Sequence, residues 1–74
     1  MIDIQGLTKQ DVQICTLLWN CDTMEAVDAM VNAMPQAYKK RAVVMRELMI
    51  AAELDNVKVI DERIPHLLHS ISTR

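Results

Sequence analysis

Two histidines, His66 and His69, stand one helical turn apart near the end of the chain. His-x-x-His spacing on a helix can direct two imidazoles toward one metal ion, such as zinc. The helical periodicity argues against this use, because both histidines fall outside the apolar seam of Ile64, Leu67 and Ile71. A zinc site also needs further ligands, and no motif in the sequence supplies them. We therefore predict no metal site.

Two cysteines, Cys15 and Cys21, are the residues best suited to nucleophilic chemistry. A catalytic thiol needs a neighbouring base that a third group orients, and the spacing of the cysteines and histidines indicates no such set. Six residues along a helix span about 9 Å, which is beyond the reach of a disulfide. We predict two buried free thiols, which are typical of a reducing compartment.

The remaining chemical motifs are equally incomplete. The adjacent carboxylates of Asp61 and Glu62 point to different faces of a helix, and they are better explained as charges that favour a helix N-terminus. A single glycine, Gly6, excludes a glycine-rich phosphate loop. The sequence therefore predicts no enzyme, no catalytic residue, no cofactor and no small-molecule substrate.

The composition predicts one cytoplasmic domain that spans residues 1–74. Of its residues 51% are hydrophobic, with one glycine and two prolines, which excludes a disordered chain. The first residues lack the features of a signal peptide, and the longest apolar run, residues 48–52, is too short to cross a bilayer. A chain this short buries only about 60% of its unfolded surface. The apolar surplus, which includes six methionines, favours an oligomer or a partner that covers it.

The periodicity predicts an all-α fold, a small compact bundle of about four helices, of which the third is the longest. In helix 1, Thr8 and Asp11 stand in the positions of a capping box. The helix is apolar over most of its circumference, which predicts that it is the central helix or lies in an interface. The four helices are expected over residues 8–20, 22–33, 35–55 and 61–72.

The later helices carry their own start and stop signals. Asp22 is the expected cap of helix 2, Pro35 the expected first residue of helix 3, and Asn56 its expected stop. Residues 57–60 are predicted to be a short connector that could be extended and pair with Ile2 and Ile4. The expected core-facing residues are Met24, Val27, Met30, Val31 and Met34 in helix 2, Tyr38, Met45, Leu48, Met49 and Ala52 in helix 3, and Ile60, Ile64, Leu67, Leu68 and Ile71 in helix 4.

Positive charge is concentrated at the start of helix 3. Residues 35–46 hold four of the eight basic side chains and no acidic one. Cations near a helix N-terminus oppose the helix dipole, at a cost of about 0.3–1 kcal/mol each. The offset could come from Glu25 and Asp28 on helix 2, from an acidic protein partner, or from nucleic-acid phosphate.

These observations favour a binding module, a non-enzymatic adaptor, inhibitor or assembly factor of the kind that phages encode. We expect it to form a homodimer or to dock on a partner protein. The expected contact residues are apolar Val43, Ile50 and Leu54, with basic Lys39, Lys40 and Arg46 steering the encounter. The alternative is a small nucleic-acid-binding protein that uses Lys39, Lys40, Arg41 and Arg46.

Overall fold

A computed structural model describes residues 7–72, and the side chains of residues 7–71. Within this part every regular element is helical, as the periodicity predicted, and the third helix is the longest. The predicted pairing of Ile2 and Ile4 lies outside the described residues. The elements are α1 (Lys9–Trp19), α2 (Met24–Ala33), α3 (Gln36–Glu53), a π-helical turn (Val59–Arg63) and α4 (Ile64–Ser72).

The predicted capping box starts α1. The Thr8 hydroxyl accepts a hydrogen bond from the Asp11 backbone N–H at 3.2 Å. In return, the Asp11 carboxylate accepts one from the Thr8 N–H at 3.0 Å. Two amides that a helix start leaves without partners are thereby satisfied. The predicted cap is confirmed.

The start of α2 lies one residue later than predicted. Thr23 has extended backbone angles, and its hydroxyl accepts a hydrogen bond from the Ala26 N–H at 3.1 Å. The prediction of Asp22 as the cap is therefore wrong. Aspartate and threonine both cap helices well, so residue type alone does not decide whether Asp22 or Thr23 is the cap.

Both ends of α3 also differ from the predicted 35–55, since the helix begins one residue later and ends two residues earlier. Pro35 has φ −55° and ψ 149°, so it flanks the helix instead of forming its first turn. At the other end Asp55 adopts a left-handed φ of 51°. The Asn56 N–H bonds the Ala51 carbonyl at 2.8 Å, and the Asp55 N–H bonds the Ala52 carbonyl at 3.3 Å. This is a Schellman ending, in which Asp55 and not Asn56 makes the reversal.

Asn56 instead begins the next helical segment, which replaces the predicted extended connector. Its carbonyl accepts from the Ile60 N–H at 3.1 Å, and its side-chain oxygen accepts from the Val59 N–H at 3.4 Å. Helical structure then continues through the π turn into α4. The connector prediction failed because β-branched residues favour strands only weakly, whereas a capped start and the apolar seam of α4 favour helix.

The central helix is α3, since α1, α2 and α4 all pack against it. The prediction that helix 1 is central is wrong: α1 directs one narrow strip of side chains at α3, while Val12, Leu17 and Trp19 remain about half exposed. Apart from Ala51, the buried apolar residues of the described part form one cluster of Ile14, Leu18, Val27, Val31, Ala42, Val44, Met45, Leu48, Met49, Ile64 and Leu68.

Two residues expected in this core lie at its edge. Met24 is 43% exposed and Tyr38 is 38% exposed. Each stands in the first turn of its helix, where fewer neighbours cover it. Among the described residues, no helix combines the length and the apolar character needed to cross a bilayer.

Candidate interaction surface

The outer face of α3 carries a row of apolar side chains that continues to Leu54, the residue that caps its C-terminus. Val43 is 48% exposed, Leu54 is 72% exposed, and Ile50 between them is half-buried. At about 100° per residue, the three fall within about 40° of one another around the helix axis. Met45 lies on the opposite side and is fully buried. We call Val43, Ile50 and Leu54 the α3 stripe.

Ion pairs from neighbouring elements lie along both edges of the α3 stripe. On one edge the Arg46 Nε donates to the Asp28 carboxylate of α2 at 2.6 Å. On the other edge Arg63 of the π turn donates twice to the Glu47 carboxylate, at 3.1 and 3.3 Å. These pairs fasten α2 and the π turn beside the stripe, in which Val43 and Leu54 stay exposed. The stripe is thus an apolar row with polar margins.

Three further charged residues stand at the two ends of this face. Lys39 and Lys40 stand in the first turns of α3, and Glu53 is its last residue. Within the described residues, none of these three forms an ion pair. The face therefore has neutralised charge at its middle, free positive charge at one end and free negative charge at the other.

Arg41, from the same basic segment, faces the interior and pairs with Asp11 of α1. Its Nε and Nη2 atoms each lie 2.6 Å from a carboxylate oxygen of Asp11, and that side chain is fully buried. Burial alone would raise the pKa of Asp11, but hydrogen bonds from Arg41 and Thr8 outweigh it and lower the pKa below its ordinary value. The carboxylate therefore stays charged at neutral pH.

The Asp11–Arg41 pair was not predicted, although the sequence contains a signal for it. Asp11, Ile14 and Leu18 are spaced three and four apart, so they share the face of α1 that turns toward α3. The capping role of Asp11 concealed this second role. Of the predicted offset from helix 2, Asp28 does form an ion pair, but with Arg46, beyond the first two turns of α3. In those first turns, Arg41 is neutralised by Asp11 of α1 instead.

These pairs alter the expected phosphate-binding set. Of Lys39, Lys40, Arg41 and Arg46, the two arginines are engaged with carboxylates of this chain. Binding phosphate with either arginine would mean giving up a short ion pair. Lys39 and Lys40 are left as the phosphate contacts that require no rearrangement.

A second apolar surface, which the predicted contact set did not include, lies on the flanks of α1. Val12 and Trp19 are 51% and 52% exposed and border a shallow recess of about 340 Å³. On the other flank Leu17 contributes to a groove of about 410 Å³ with residues of α2 and α3. The sequence signal is the near absence of charge in this helix, which predicts either a central helix or one that lies in an interface.

The residues considered for chemistry are scattered. His66 and His69 are both exposed on α4. Cys15 and Cys21 are free thiols, but both are half-buried, so the prediction of buried thiols is wrong. Burial, followed by the nearby Asp11 carboxylate, raises the pKa of the Cys15 thiol, which keeps it protonated and weakly nucleophilic. Among the described residues no group of three or more His, Cys, Asp or Glu side chains could hold a metal ion.

Comparison with known proteins gives no relative on which a function could be based. The chain matches no protein-family model, no curated protein and no solved structure. The function is therefore argued from this chain's own surfaces, of which the α3 stripe is the most regular.

Proposed function

We propose that this protein is a non-enzymatic interaction module that associates with a second copy of itself through the outer face of α3. The observation that carries the proposal is the alignment of Val43, Ile50 and Leu54 on one face, where Val43 and Leu54 are exposed and Ile50 is half-buried. In this state the module would act as an adaptor, inhibitor or assembly factor in the cytoplasm, where its two free cysteines stay reduced.

The regular spacing is what distinguishes the α3 stripe from ordinary exposed apolar residues. Single exposed apolar side chains are common on soluble proteins and need no explanation. Here the first two residues are seven apart and the third follows four later, as in the contact seam of a helix pair. Burying a Val, Leu or Ile side chain completely stabilises a contact by about 1.5–3 kcal/mol.

The proposed contact is modest in size. A standard interface covers about 800 Å² per partner, or about 15% of the 5365 Å² surface of this chain. The three stripe residues cover only part of that area, and the stems of the flanking lysines would have to add to it. We therefore expect a dimer that dissociates on dilution, so the assay has to span a wide concentration range.

The test is sedimentation equilibrium of the wild-type chain and the double variant Val43→Asp/Ile50→Asp. Burying two carboxylates in an apolar contact is strongly unfavourable, so association should weaken at least about tenfold. The matched control is Val12→Asp on α1, because Val12 is also a valine and is 51% exposed, against 48% for Val43. The control should dimerise like the wild type, and circular dichroism should show all three chains equally helical.

Two results would contradict the proposal, and a third would require a milder variant. A wild-type chain that is monomeric at every concentration excludes self-association. Loss of the dimer in Val12→Asp alone would place the contact on α1. Unfolding of the double variant would mean that Val43 and Ile50 stabilise the monomer; single Val43→Asp, which changes the more exposed position, then repeats the test in a folded chain.

A further inference from the structure

We infer that the two copies pair with their α3 helices antiparallel, so that Lys39 of each lies opposite Glu53 of the other and Val43 lies opposite Ile50. This inference rests on the proposed function, since it specifies the partner and the register of the same surface. It follows from the distribution of charge along α3, from the spacing of the stripe and from the ion pairs at its middle.

The ends of the outer face differ in charge. Lys39 and Lys40 lie at the beginning of α3, and Glu53 lies at its end, followed by Asp55. A parallel pair would place lysines on lysines and carboxylates on carboxylates, which is destabilising. An antiparallel pair places each basic end on an acidic end. The two helix dipoles then point in opposite directions, which is also favourable.

The contact between Val43 and Ile50 agrees in register with the charged contact, and it places Leu54 beside the stem of Lys39. If Val43 faces Ile50 of the other copy, the two-fold axis crosses α3 midway between residues 46 and 47. If Lys39 faces Glu53, the axis crosses at residue 46. The two positions differ by half a residue, about 0.75 Å along the helix. On the helical wheel Lys39 and Glu53 also lie on the same side of the stripe, as a two-fold axis in the contact plane requires.

The residues nearest the axis do not oppose this arrangement. Arg46 and Glu47 of each copy would approach their own counterparts there, which would bring like charges together. Each is already neutralised within its own chain, Arg46 by Asp28 and Glu47 by Arg63. The unneutralised charges are those at the ends, where antiparallel pairing makes opposite signs meet.

The rest of the fold leaves this approach open. The α1 helix reaches α3 through Arg41, which lies about 160° around the α3 axis from the α3 stripe. The α2 helix and the π turn attach at the edges of the stripe, through Arg46 and Glu47. A second α3 can therefore approach the exposed Val43 and Leu54 between these two elements. Its Lys39 would meet Glu53 on the α2 side of the stripe, where Glu53 borders a recess lined by residues of α1 and α2.

The experiment is a charge exchange followed by sedimentation. Lys39→Glu and Glu53→Lys should each dimerise about tenfold more weakly than the wild type at low salt, because each replaces two attractions per dimer by two repulsions. An equimolar mixture of the two variants should associate again, since every contact then joins a glutamate to a lysine. The matched control is Lys58→Glu, an equal change in charge at an exposed residue outside the face, which should leave the dimer unchanged.

Orientation is checked separately by disulfide trapping. In the antiparallel register, residues 43 and 50 of different copies face each other, whereas two copies of residue 43 are about 10 Å apart along the helix, beyond disulfide reach. A mixture of Val43→Cys and Ile50→Cys chains should therefore crosslink under oxidation, and neither variant alone should do so. The wild-type chain, oxidised in parallel, measures any background from Cys15 and Cys21.

The possible failures are distinguishable. A wild-type chain that never dimerises overturns both the function and the pairing. A dimer that Val43→Asp/Ile50→Asp abolishes, but that ignores the charge exchange, keeps the surface and refutes the register. Crosslinking of Val43→Cys with itself would show a parallel pair.

Discussion

The buried pair between Asp11 and Arg41 makes the sharpest prediction about stability. Replacing Asp11 by Ala removes the carboxylate that two guanidinium nitrogens contact at 2.6 Å, and the arginine loses two short charged hydrogen bonds. Removing one partner of a buried pair costs about 3–5 kcal/mol. The Arg41 side chain is 15% exposed and can recover some hydration, so we expect a loss near the lower limit, about 3 kcal/mol.

That loss is large for a chain of this length. At about 0.05–0.15 kcal/mol per residue, the whole domain would have a free energy of unfolding of about 4–11 kcal/mol. Urea denaturation followed by circular dichroism measures the change. Two controls separate its parts: Thr8→Ala removes only the cap and should cost about 1 kcal/mol, and Asp28→Ala breaks the exposed pair with Arg46 and should cost at most about 1 kcal/mol.

The cause of the loss can be tested within the same series. If the cost comes from a guanidinium that has lost the Asp11 carboxylate, the double variant Asp11→Ala/Arg41→Met should be more stable than Asp11→Ala alone, because the charge is gone. The reasoning is refuted if Asp11→Ala costs no more than Asp28→Ala. It is also refuted if Arg41→Met destabilises Asp11→Ala further.

Two further predictions follow from the same regions of the fold. The pKa of Asp11 is lowered in the folded state, so the carboxylate contributes stability that is fully present above its unfolded pKa of about 3.9 and is lost as the pH falls through the folded value. Urea titrations from pH 6 downward should therefore fall more steeply for the wild type than for Asp11→Asn, and parallel curves would contradict this. Asp55 has a left-handed φ of 51°, a conformation that glycine adopts at a lower energetic cost than aspartate. Asp55→Gly should therefore raise the free energy of unfolding by roughly 0.5 kcal/mol. Asp61→Gly, within the π turn, should lower it, and equal effects at the two positions would show that backbone conformation is not the cause.

The parts of this fold that sequence could predict are those fixed by residues close in the chain. The periodicity of apolar residues was enough for four helices, and the Thr8–Asp11 capping box is a local pattern with one geometry. The seam of α4 was predicted for the same reason, and Ile64 and Leu68 are fully or almost fully buried. Boundaries moved by one residue where two adjacent residues could fill one role, as with Asp22 and Thr23.

The parts that sequence did not predict depend on contacts between distant residues. A wide apolar circumference suggested that helix 1 is central, but the central position of α3 depends on how the other helices pack. The Asp11–Arg41 pair joins residues 30 apart, and no local pattern specifies it. The candidate surface could be predicted in part. The spacing of Val43, Ile50 and Leu54 was enough to place them on one face, whereas the ion pairs along its edges are visible only in the structure.

The measurement that tests the central claim most directly is a dilution series followed by two-dimensional NMR of the methyl groups. Self-association through the α3 stripe predicts that the methyl signals of Val43, Ile50 and Leu54 shift with concentration, while those of Val12 on α1 stay constant. Spectra that do not change with concentration would contradict the account. So would shifts confined to Val12 and Leu17, because they would place the contact on α1.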